Sequence, residues 1–128
     1  MKKIGLFLLL TTALFGESII LDNQTTYPTK PSKMAVQWAN SAREVDENNK
    51  ALMYGGKLKA ETLETISQTG KIKLTLPKKA QQFRVLVWSE GSKEPDYTTN
   101  WIDITEGKTY ILETDYLIPV VLMPGSGC

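Results

Sequence analysis

Lys71-Ile72-Lys73-Leu74-Thr75-Leu76 alternates polar and apolar side chains, and Phe83-Arg84-Val85-Leu86-Val87-Trp88 follows after a short connection at Pro77 to Gln81. In an extended chain successive side chains point to opposite faces. The first run therefore puts Ile72, Leu74 and Leu76 toward a core and Lys71, Lys73 and Thr75 toward water. The second run is apolar on both faces except at Arg84, the pattern of a central strand covered on both sides. These two segments set the expectation of an all-β protein.

The same reading extends in both directions. Ser18 to Asp22 reads as a first strand, and Asn23 to Lys33, with Pro28 and Pro31, as an extended linker or edge. Met34 to Ala39 alternates, with Met34, Val36 and Trp38 on one face. Asn40 to Lys50 is polar and turn-rich, and Ala51 to Tyr54 reads as a short strand ended by Gly55-Gly56. Leu58 to Gln68 is open between a short helix, for its Leu58, Thr62, Leu63 and Ile66 stripe, and an irregular strand, for its threonines. After a loop at Ser89 to Tyr97 comes a strand from Thr99 to Thr105. Glu106-Gly107-Lys108 then reads as a hairpin turn into Thr109 to Glu113. Leu117 to Met123 is the last strand, with Pro119 marking an edge or bulge, before a flexible tail to Cys128.

Seven or eight short strands with regular turn signals fit a small antiparallel β-sandwich, prealbumin-like or immunoglobulin-like, with room for one short helix. The stretch from Thr69 to Trp88 resembles the strand pairs of prealbumin-like sandwiches. The likeness is one of strand pattern alone and implies no activity.

At the N-terminus, Lys2 and Lys3 precede an apolar run from Ile4 to Phe15 that closes on Gly16. Positive start, apolar middle and small residue together read as a cleaved secretory signal at residues 1–16. Residues 17–128 then form a single exported domain, periplasmic or secreted. Removing Lys2 and Lys3 from the 15 basic residues leaves thirteen against 14 acidic ones. Nucleic acid is a poor partner for such a balance. No segment after the leader is long and apolar enough to span a bilayer.

The chain contains no histidine and one cysteine, Cys128, at its end. Ser-His-Asp and Cys-His catalysis are thereby removed, and so are intramolecular thiolate metal sites. No catalytic residue, metal or cofactor is expected. Gly107-Lys108-Thr109 lacks the first glycine of a phosphate loop, because Ile102 stands in its place. Glu90, Glu94 and Asp96 read as a solvated acidic loop. Asp46-Glu47-Asn48-Asn49 lacks the spacing of a calcium loop. Asn23-Gln24-Thr25 matches a glycosylation sequon and is taken as unmodified.

The positive signs are aromatic. On a Thr99 to Thr105 strand, Ile102 and Ile104 share one face while Trp101 and Asp103 share the other, wetter one. Trp101, Tyr97 and Asp103 are the expected contact residues, together with the region from Ser89 to Asn100. Exposed aromatics mark interfaces or sugar stacking. The function expected is a non-enzymatic module binding a protein of the bacterial cell envelope. The alternatives are a structural subunit of a surface or filament assembly, hence a homo-oligomer, and a carbohydrate- or peptidoglycan-binding module. An odd cysteine in an oxidising compartment makes Cys128 the candidate for an intermolecular disulfide.

Overall fold

The computed structural model describes residues 17–29 and 31–122; the leader at residues 1–16 and the tail carrying Cys128 lie outside the described residues. The described chain is mostly β, with two sheets and one helix. Its strands are β1 (Ser18–Asn23), β2 (Lys33–Ala39), β3 (Leu63–Ile66), β4 (Gly70–Thr75), β5 (Gln82–Trp88), β6 (Tyr97–Thr98), β7 (Ile102–Asp103), β8 (Thr109–Leu112) and β9 (Ile118–Pro119). The helix, α1, spans Ala42–Met53. The smaller sheet has the order β4-β1-β8, and the larger runs β3-β2-β5-β6-β9, with β7 also on β5.

Buried side chains from both sheets form one apolar cluster. Ile19, Leu21, Leu74, Tyr110 and Leu112 come from the smaller sheet; Met34, Val36, Phe83, Val85 and Val87 come from the larger. The alternation of β4 is realised as expected: Leu74 is buried while Lys71, Lys73 and Thr75 are exposed. Central β5 is buried on both faces from Phe83 to Val87. Its partner β2 is antiparallel and in register from Lys33↔Trp88 to Ala39↔Gln82.

The structure departs from the sequence expectations in four places. The helix lies at Ala42–Met53, across the segments read as a polar turn and a short strand. Ser41 accepts a bond at Oγ from the Glu44 amide at 3.1 Å, and Glu44 Oε1 accepts from the Asn40 amide at 2.8 Å. The first bond satisfies an amide that a helix start otherwise leaves bare, and the second ties the residue before the cap to the first turn. Arg43–Glu47 and Asp46–Lys50 add ion pairs one turn apart, both at 3.1 Å. Leu58 to Gln68 resolves into a single 3-10 turn at Ala60–Thr62 followed by β3.

Glu106-Gly107-Lys108 is a tight turn but joins no hairpin. It carries the chain from β7 in the larger sheet to β8 in the smaller, where β8 pairs with β1 in parallel. Gly107, at φ +80°, provides the left-handed conformation of the bend. Its amide donates to Ser18 O at 2.8 Å. Turn residues set how sharply a chain reverses; which strand it meets next is set by where apolar side chains find cover. The sheets are therefore antiparallel except for β1–β8.

The expected strand from Thr99 to Thr105 is two short strands with a bulge between them. Leu86 faces Thr98 and Phe83 faces Ile102, so three steps on β5 oppose four on the other side. The extra residue lets Ile102 point to the core and leaves Trp101 on the opposite face. Finally, the last strand is reduced to Ile118–Pro119 and passes into a 3-10 turn at Val120–Leu122.

Candidate functional site

Two places concentrate unusual side chains, one on each face of the larger sheet. The outer face is covered by α1. There Arg84 lies fully buried in β5 with no acidic partner among the described residues. Its Nε donates to Gln37 Oε1 at 2.8 Å, Nη1 to Asn49 Oδ1 at 2.9 Å and Nη2 to Asn48 O at 3.1 Å. The guanidinium carbon stands 4.5 Å from the centre of the Trp101 ring. Burial lowers its pKa to about 10, well below the usual guanidinium value, so it keeps its charge at neutral pH. The cage compensates that charge with neutral dipoles and a π face.

Of the three contact residues expected from the sequence, Trp101 alone belongs to this cage. Trp101 is half-buried, and its Nε1 donates to the same Asn49 Oδ1 at 2.9 Å. Its indole N–H and a ring face are thus engaged within the chain. Tyr97 is half-buried in β6, with its ring 6.5 Å from that of Tyr27. Asp103 is exposed in β7 and accepts from Gln82 Nε2 at 3.0 Å. The three do not converge on one point: Trp101 and Asp103 share the outer side, and Tyr97 packs against the core. Cys128 lies outside the described residues.

Other sequence features have local structural employment. Asp96 accepts from the Ser89 amide at 2.9 Å and from Ser89 Oγ, closing the 89–96 loop. Asp46 and Glu47 are engaged in the helix ion pairs. Asn23 of the sequon is buried: its Nδ2 donates to Tyr27 O and Gln68 O, and its Oδ1 accepts from Thr25. The folded chain therefore hides that amide.

The second place is an apolar cleft of about 360 Å³ at the open side of the two sheets. Its floor is Phe83, Val85, Ile102, Tyr110, Leu112 and Ile118. The Tyr110 ring meets Phe83 edge-on at 5.1 Å. Its hydroxyl accepts from the Thr105 amide at 2.6 Å and donates to Asp103 O at 2.9 Å, tying β8 to the strand that precedes it. Asn100, Asp115 and Tyr116 stand at the rim. Ile111 and Tyr116 expose about half of their surface, 53% and 49%. The size is within the range of ligand-sized sites.

One wall of the cleft is an unfinished sheet edge. Ile20 donates to Lys108 O at 3.0 Å and Gln24 to Leu112 O at 2.8 Å. Lys108, Tyr110 and Leu112 therefore turn their main-chain groups toward β1. Thr109 and Ile111 turn theirs away, and no partner meets them among the described residues.

Sequence reasoning missed both the cage and the cleft. The cage had a signal: Arg84 is the one charged residue in an otherwise apolar run, and a buried cation requires polar company. The cleft had none, because Ile111 and Tyr116 look like ordinary strand residues until their neighbours are known. No protein-family model matches the chain, and no curated protein matches it in sequence.

Proposed function

We propose that the chain is a non-enzymatic β-sandwich module, exported to the periplasm or beyond, that binds a protein of the cell envelope. The sandwich reading is supported by the single apolar cluster to which both sheets contribute. Its prealbumin-like or immunoglobulin-like character rests on strand pattern. Export rests on the charge, apolar run and small residue of the leader. The absence of histidine supports binding over catalysis.

The observation that carries the reading is the apolar cleft beside exposed Ile111 and Tyr116. Apolar and aromatic side chains gathered at an open concavity, with polar groups at its rim, are the usual anatomy of a contact site. Trp101, the residue singled out from sequence, serves this surface from below: with Arg84 and Asn49 it holds the bulge that sets Asn100 at the rim. The test is site-specific photo-crosslinking in the native envelope. A photoreactive residue at position 111 should capture a discrete protein, and one at position 73, on exposed β4, should not. Capture from neither position removes the reading.

A further inference from the structure

The two sheets do not end together. Tyr110 of β8 sits over Phe83 of β5, and beyond that contact the larger sheet continues through β6, β7 and β9 while the smaller sheet stops. The cleft occupies the place a fourth strand of the smaller sheet would fill. It offers what such a strand needs: the main-chain groups of Thr109 and Ile111, which meet no partner among the described residues, and an apolar floor to take alternate side chains.

Resting on the binding-module reading, we propose that an extended segment of the partner protein adds to β8 as that missing strand. Every second side chain of the segment is apolar and enters the cleft over Val85, Ile102 and Ile118. The rim sets the sign of its charge. Among the described residues Asp115 is the only charged one lining the cleft, and Glu113 precedes it by two positions. Neither makes an ion pair among the described residues. The segment therefore carries a basic residue at the end that lies against Glu113 and Asp115. In this mode main-chain bonds supply affinity and the alternating pockets supply selectivity.

The test uses the purified chain and a short synthetic peptide of alternating valine and threonine with lysine at one end. Binding is read by anisotropy of the labelled peptide and by hydrogen exchange of single amides. The peptide should bind and should slow exchange at the Thr109 and Ile111 amides. Methylating the two backbone nitrogens meant to face β8 should weaken binding by about tenfold, the cost of two main-chain hydrogen bonds. Replacing the lysine by glutamate should weaken it by about threefold at low salt, and Asp115→Lys should reverse that preference. Asp115 is exposed, so this variant leaves the core intact.

Four results overturn the proposal. Equal binding of the methylated peptide would mean that the cleft takes an apolar ligand without strand pairing. Protection of Thr109 and Ile111 that grows with protein concentration alone would make the occupant a second copy. Protection found only in the uncleaved precursor would make it the leader. No binding and no protection would leave the edge without a strand. If a residue at position 111 still crosslinks an envelope protein in any of these cases, the binding-module reading survives and strand addition alone fails.

Discussion

The two faces of β5 are equally buried but by opposite means. On the inner face Phe83, Val85 and Val87 meet other hydrocarbon side chains of both sheets. On the outer face Leu86 is buried as well, but beside it Arg84 meets Gln37, two asparagines of α1 and the ring of Trp101. Inner-face burial is non-directional and scales with apolar area removed from water. Outer-face burial depends on geometry: each donor must find its acceptor, or the desolvated charge becomes a large cost. The inner face holds the sheets together, whereas the outer face fixes where the helix sits and how the Trp101 bulge is held.

The largest effect should come from the inner face. Phe83→Ala should cost about 3–5 kcal/mol, measured from urea unfolding, because it leaves a cavity beneath Tyr110. On the outer face Arg84→Ala should cost about 3 kcal/mol, since it orphans the buried Gln37 Oε1 and takes a charged donor from Asn48 O and Asn49 Oδ1. Arg84→Met, which keeps the packing volume, should recover only part of that loss. Full recovery would make the cage equivalent to a hydrocarbon contact and erase the contrast between the faces.

Asn49→Ala separates helix docking from charge burial, because Asn49 Oδ1 serves both Arg84 and Trp101. A cost of about 1.5 kcal/mol is expected from the lost charged hydrogen bond. A red shift of tryptophan emission should accompany it as the indole gains water. Ser41→Ala tests the start of the same helix at about 1 kcal/mol, the usual worth of such a cap. An unchanged urea midpoint there would mean that the outer-face contacts alone hold α1. Lys73→Ala is the control on an exposed face and should shift stability by under about 0.5 kcal/mol. A loss comparable to Phe83→Ala would mean that β4 presents its other face to the core.

Much of the inner face was legible in the chain itself. The period of two at Lys71–Leu76 and the doubly apolar run at Phe83–Trp88 identified β4 as one-sided and β5 as central. Both patterns arise from burial, which leaves its mark on residue type. The helix also had a mark, Ser41-Ala42-Arg43-Glu44 before a charge-paired stretch, but its polar composition reads equally as a loop. Only Asn48 and Leu52 of α1 are buried, too narrow a stripe to declare itself.

The sequence by itself determined that this is a β-rich chain with Ile72, Leu74, Phe83, Val85 and Val87 turned inward, and that it holds one cysteine and no histidine. Only the tertiary structure decided that the turn at Gly107 changes sheets and that Trp101 closes on Arg84. It alone decided that β8, among the described residues, is left with an open edge over an apolar cleft. The reason is physical. Alternation and turn chemistry are local and act on residues a few positions apart. The neighbours of β8 and of Arg84 are chosen by contacts between segments dozens of residues apart, whose positions no local pattern encodes.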